Sequence, residues 1–210
     1  MATELSEKMV MDDCKNVPIK RCKFVNLNNP LYVHYHDHEW SKVLHDENKL
    51  IELFILETFH CGLSFECVLN KRADFIVAFD NFDINKIAQY DEEKVALLLS
   101  NSKIIRHRQK ILATINNAKV ILNIQQEFGS FDKYIWHFTN FTTIVEPYTI
   151  RTSSALSDEV TKDIKSRGMK FVGTVTIYSF LQACGVIFAH ENECVIKIPE
   201  SVRESRYSLK

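Results

Sequence analysis

Glycine and proline are scarce, five and four residues in a chain of 210. That scarcity excludes collagen-like and linker-rich architecture, and argues against turn-dense all-β folds, whose corners need special backbone conformations. Long hydrophobic runs are also missing: no stretch approaches the roughly 20 consecutive apolar residues of a membrane span. The first twenty residues lack the apolar run of a secretory leader. The expectation is a cytoplasmic protein with no membrane contact. Neither sign of charge dominates, since 26 Lys and Arg face 27 Asp and Glu for a formal net charge of −1. A nucleic-acid surface would therefore depend on local clustering of positive charge. The six cysteines (Cys14, Cys22, Cys61, Cys67, Cys184 and Cys194) read as thiols and candidate metal ligands in such a chain, not as a disulfide framework.

What is present is the composition of a globular protein with its own core, 46% hydrophobic and 25% charged. Residues 1–20 have weak periodicity and read as a flexible N-terminal extension, 21–197 as a single helical domain, and 198–210 as a polar C-terminal tail. Helical spacing dominates the middle. Asp46 can cap a helix through Leu50, Leu53, Phe54 and Glu57, apolar nearly all round and hence central. Ser64 can cap one carrying Val68, Leu69 and Phe75, while Asp83 and Asp91 start two more. Ile104, Ile111, Ile115, Ala118 and Leu122 keep helical spacing up to Gly129, a terminator in that it tolerates a left-handed backbone. Ser130 is placed to cap FDKYIWHF. Thr152 or Ser153 precedes the Leu156, Val160, Ile164 stripe that ends at Gly168. Gly173 opens a last apolar helix over TVTIYSFLQACGVIFAH, and VIKI at 195–198 is strand-like but too short to build a sheet. The expected class is all-α.

Four features can carry chemistry, and each also has an ordinary structural explanation. His190 and Cys194 stand four apart, which on a helix places imidazole and thiol on one face as half of a tetrahedral zinc site. Cys22 and His36, with thirteen residues between them, can supply the other half; a single such pair is also common by chance. The segment PLYVHYHDHEW at 30–40 mixes aromatics, acids and histidines, which suits a pocket that stacks a planar ligand, or plain core packing. The turn KSRGMKFVG at 165–173 leads into a helix N-terminus and can cradle a phosphate, or simply be a solvated helical hairpin. Lys103, Arg106, Arg108 and Lys110 form a basic cluster that is either a solvated face or a further phosphate contact.

Together the segments PLYVHYHDHEW, LETFHCGLSFECVLNKR, IIRHRQKI and RGMKFVGTVTIYSFLQACG closely resemble the 3-methyladenine DNA glycosylase I family, in order from Arg21-Cys22 to Cys194. The resemblance implies a helix-hairpin-helix fold stapled by one structural zinc ion (Zn2+) that joins the two ends, with Cys22, His36, His190 and Cys194 as ligands. It implies a monofunctional hydrolase of base excision repair: a monomer that flips 3-methyladenine out of double-stranded alkylated DNA, releases it as the free base and leaves an abasic site. Tyr35 and Glu57 match the residues that hydrogen-bond the excised base. Trp40 and Tyr32 belong to the same pocket, Phe65 stands where the family has a stacking Trp, and Phe24 falls about where Trp is common. Gly62 and Leu63 match the loop inserted into the duplex; Lys170, Gly168 and Gly173 match the hairpin on the phosphates. Ser41 stands where the family usually has Gly. No Asp follows Gly173, so the water-positioning Asp of many other helix-hairpin-helix glycosylases has no counterpart there.

Overall fold

Most helices begin where a short polar side chain precedes an apolar run, because its acceptor satisfies the orphan N–H groups of the first turn. The computed structural model describes residues 19–146, 151–200 and 202. Asn29 caps α1 (Pro30–His38), Asp46 caps α2 (Glu47–His60) and Ser64 caps α3 (Phe65–Leu69). Without a side-chain cap, α4 (Arg72–Ala78) leads through a 3-10 turn, Asp80–Phe82, to α5 (Ile84–Ile87), capped by Asp83. Asp91 caps α6 (Glu92–Ser100), His107 caps α7 (Arg108–Phe128) and Ser130 caps α8 (Phe131–His137). A capping box at Ser154 and Ser157 opens α9 (Ala155–Ser166), and Gly173 precedes α10 (Thr174–Ala183). Gly129 ends α7 with φ +86, the left-handed cap that a residue without Cβ adopts at little cost.

Six sequence expectations need correction. The helix foreseen from Ser64 to Phe75 breaks at Asn70–Lys71 into α3 and α4. Ile104 lies ahead of α7 rather than on it. The cap of α9 is Ser154, not Thr152 or Ser153. The last helix stops at Ala183: Gly185 has φ +78, and a Cβ there would lie 2.4 Å from the Lys42 carbonyl, so the chain turns away. It continues as β2 (Ile187–Phe188), paired in parallel with β1 (Ile144–Val145), while 195–198 is not a strand. Finally, His190 and Cys194 sit in a turn, not on a helix. Apart from that two-residue bridge the described residues are helical or irregular, the all-α class expected. The proposed extension, save Ile19 and Lys20, and the proposed tail, save 198–200 and Val202, lie outside the described residues.

Helix α2 is the axis of the core. All residues from Leu50 to Phe59 are buried, and the helix packs against α3, α7, α8 and α10. Phe54 meets Phe131 and Phe180 edge to face, with ring centroids 5.4 and 5.3 Å apart. Each such side chain contributes about 1.5–3 kcal/mol on burial. Buried Glu52 is offset by Arg72, whose Nε donates to it at 2.5 Å. An axis so completely enclosed holds its last turn, which carries Glu57, in one place.

Candidate active site and metal centre

A cleft of about 240 Å³ opens where α1, α2, α3 and α10 converge, lined by Phe24, Tyr32, Tyr35, Trp40, Glu57, His60, Phe65, Ser179 and Gln182. It is smaller than the roughly 300–1,000 Å³ of pockets for drug-sized ligands. Helical spacing delivers its parts: Tyr32 and Tyr35 are one turn apart on α1, and Glu57 and His60 one turn apart at the end of α2. Phe65 is the first residue of α3. Trp40 follows α1, and the next residue, Ser41, has φ +62, the left-handed backbone that a glycine position requires. Ring centroids of Tyr35 and Phe65 are 4.9 Å apart, as are those of Phe24 and Trp40. The six candidate base-binding residues named from the sequence thus share one cleft. His60, Ser179 and Gln182 were not foreseen. His60 was legible as the residue one turn beyond Glu57; Ser179 and Gln182 were legible only as polar interruptions of an apolar helix.

The floor of the cleft is polar and buried. Glu57 is 3% exposed, and burial raises its pKa, opposed by the His60 ring whose Nδ1 lies 3.1 Å from Oε2. The Tyr35 hydroxyl is buried with no hydrogen-bond partner among the described residues. A buried polar group left unpaired costs roughly 1–3 kcal/mol, which a ligand that pairs with it recovers. Burial first, then the negative charge of Glu57, holds the Tyr35 phenol well above its ordinary pKa, so it stays protonated. The same order of causes acts on Tyr32, with Glu66 ahead of Glu57, and pushes it to about 12. A carboxylate and a neutral phenol inside aromatic walls favour a flat, cationic, hydrogen-bonding ligand.

Beside the cleft, α2 turns into α3 through an exposed Gly62 with φ +78 and a half-exposed Leu63. Across α9 and α10 the turn at 167–173 forms the helical hairpin, with Gly168 at φ +95. Gly173 has an ordinary extended backbone and open space where a Cβ would stand, so no conformational need calls for glycine there. Lys170 is exposed, and its backbone is held at both ends by buried Asn117: the Lys170 N–H donates to Oδ1 at 2.8 Å, and Nδ2 donates to the Lys170 carbonyl at 2.9 Å. Asn116 donates to the Gly168 carbonyl. The basic cluster does not act as one surface. Arg108 pairs with Glu92, and Lys110 is buried.

Behind Trp40 lies a second constellation. Cys22, His36, His190 and Cys194 are all buried, with their ligand atoms within 4.8 Å of one another. His190 Nδ1 is 3.4 Å from both sulfurs, and His36 Nε2 is 3.6 Å from Cys194 Sγ. A tetrahedron with Zn–S of 2.3 Å and Zn–N of about 2.0–2.1 Å has S···N edges of about 3.5 Å. The four donors therefore fit one metal ion. Backbone N–H groups of Glu191 and Ile196 point at the two sulfurs, each at 3.4 Å, as suits thiolates. Asp37 accepts from His36 Nδ1 at 2.8 Å and is itself gripped by Arg21, so the ligating ring is fixed from behind. Burial pushes the Cys22 thiol up to about 12 and His190 down to about 4. The Trp40 ring touches this centre, 4.5 Å from His190 and stacked 6.0 Å from His36.

The chain is similar to known proteins in sequence and in fold. Residues 25–197 match the family model described as methyladenine glycosylase. DNA-3-methyladenine glycosylase 1 of Escherichia coli (strain K12) is 42% identical over 180 residues, which cover 84% of this chain and 96% of that protein. The crystal structure of a 3-methyladenine DNA glycosylase I superposes with a TM-score of 0.81 at 41% identity, over 85% of this chain and all of that one. A tyrosine-to-phenylalanine variant of such an enzyme, solved in complex with 3-methyladenine, superposes with a TM-score of 0.78 at 35% identity over 81% of this chain and 94% of its own. With nearly the whole described helical body matched in sequence and in space, the chain belongs to the methyladenine glycosylase family.

Proposed function

We infer that this protein is a DNA-3-methyladenine glycosylase: it hydrolyses the N-glycosidic bond of 3-methyladenine in alkylated double-stranded DNA, releases the free base and leaves an abasic site. The observation that carries the reading is the buried Glu57 carboxylate beside an unpartnered tyrosine hydroxyl in a small aromatic cleft. Methylation at N3 gives adenine a positive charge, which weakens its bond to the sugar and makes it a good leaving group. Glu57 attracts that cation and accepts from its exocyclic amine, Tyr35 pairs with the base edge, and Trp40, Phe65, Phe24 and Tyr32 offer π-faces. Such contacts favour the flipped, charged base over neutral adenine, and so select the lesion.

Extrusion costs a few kcal/mol of unstacking, least where pairing is already weakened. Gly62 and Leu63 serve as the inserted loop, with the Leu63 side chain filling the gap left in the stack. The backbone around Gly168 and Gly173, where α10 begins without a side-chain cap, holds phosphates together with the Lys170 ammonium. Cys22, His36, His190 and Cys194 would hold one zinc. Four protein donors leave no open position for water, so its contribution is structural. Residues 21–197 act as one domain and the enzyme as a monomer. Chromatography of bases released from methylated DNA tests the function: 3-methyladenine is expected among them. Binding to methylated DNA with no base released would replace this reading by a non-catalytic sensor on the same fold.

A further inference from the structure

Lys110 belongs by sequence to the basic stretch at the start of α7, yet it is only 6% exposed and points inward. Its Nζ donates to the main-chain carbonyls of Phe59 at 2.8 Å and Cys61 at 2.6 Å. These are among the last carbonyls of α2, which have no partners within the helix. The carbonyl between them, of His60, accepts from the Leu63 N–H at 2.7 Å. Three consecutive carbonyls are thus tied, two by one ammonium and one by the loop that carries Leu63. An ammonium at a helix C-terminus also meets the negative end of the helix dipole, which offsets part of the cost of burying it.

We propose that Lys110 is the positioning residue of the Gly62–Leu63 loop: it anchors the end of α2 so that the loop keeps its place when pressed into a base stack. A side chain that displaces a base takes the reaction force of the stack, and the end of a helix frays unless its terminal carbonyls are held. The anchor is on α7, the helix that also clamps the hairpin through Asn117, so both DNA-facing segments are referred to one rigid element. The role differs from phosphate contact, because the ammonium faces the protein interior. It also differs from base recognition, because Lys110 does not line the cleft.

The proposal rests on Gly62–Leu63 being the inserted loop, and the experiment separates the two ideas. Base release is measured from methylated poly(dA), single-stranded or annealed to poly(dT), and free 3-methyladenine affinity is measured by titration. Lys110→Met keeps the stem and removes the donors. It is expected to lower release from the duplex about tenfold while single-strand release and free-base affinity stay at wild-type values. Leu63→Ala is expected to show the same pattern, and the double variant to be no worse than either single one, since both remove the same action. Should Lys110→Met not fold, Lys110→Gln, with one amide donor, is expected to show the same duplex-selective loss in weaker form. Equal loss on both substrates, additive losses in the double variant, or a normal Lys110→Met beside a defective Leu63→Ala would overturn the proposal alone. A Leu63→Ala enzyme with wild-type duplex release would overturn the insertion reading and this proposal with it.

Discussion

Glu57 is the residue on which recognition and stability pull in opposite directions. Its pKa is raised by burial, so the ionised form is less stable in the folded protein than in the unfolded chain, and above the ordinary carboxylate range the group costs stability. Recognition of a cationic base nevertheless needs the carboxylate. Glu57→Gln is therefore expected to weaken free 3-methyladenine binding by about 10–100-fold, the worth of a charge-assisted hydrogen bond, while the melting temperature at neutral pH holds or rises. A titration of the free base and a thermal melt on the same sample check both halves. The sign also fixes the pH profile: excision declines on the acid side at a pH higher than an ordinary glutamate would set, as the raised Glu57 takes up its proton, and that limb vanishes in Glu57→Gln. Asp37 behaves in the opposite sense. Arg21 holds it down at about 2, so its stabilising pair is fully formed above the ordinary carboxylate pKa and fades as pH falls toward that lower value. Acid titration of Asp37→Asn is expected to show a shallower loss of stability over that window.

The helices were largely legible because their signals are local. Asp46, Ser64, Asp83, Asp91 and Ser130 each precede an apolar-periodic run, and each is observed to cap one. The misjudged element is the chain beyond Ala183, apolar enough to continue a helix yet turned aside at Gly185 by the approach of the Lys42 backbone. Gly185→Ala is accordingly expected to destabilise by several kcal/mol, visible as a lower denaturant midpoint at unchanged slope. The hairpin at 167–173 depends on a distant element, since Asn117 on α7 stands in for a missing strand partner of Lys170. Asn117→Leu leaves that backbone unpaired, and is expected to weaken binding to any duplex, alkylated or not, without changing free-base affinity. Fluorescence titration with unmodified DNA and with the free base checks the split.

At the scale of the molecule, the Cys22, His36, His190 and Cys194 cluster brings residues near both ends of the described chain to the wall of the cleft. Cys22 and Cys194 come from opposite ends, Val195 N–H donates to the Lys20 carbonyl at 2.7 Å, and Trp40 leans on His190. Structural zinc contributes about 10–16 kcal/mol of apparent folding energy in small domains, as much as the whole stability of many proteins. Cys194→Ala, or chelation, is expected to abolish bound zinc, lower the melting temperature by about 10 °C or more, and loosen free-base binding through Trp40. Metal analysis together with a melt checks this; unchanged zinc and stability would remove Cys194 from the ligand set.

By itself the sequence determined the helical class and most helix starts, and its resemblance to a known family named six residues of the cleft and the four of the Cys/His cluster. Caps, periodicity and residue chemistry act over a few positions and leave a trace in the order of residues. Only the tertiary structure decided that His190 and Cys194 meet their partners from a turn, that Ser179 and Gln182 reach the cleft from α10, and that Lys110 faces inward. Those outcomes depend on which distant backbone comes within a few ångströms, and long-range packing sets that.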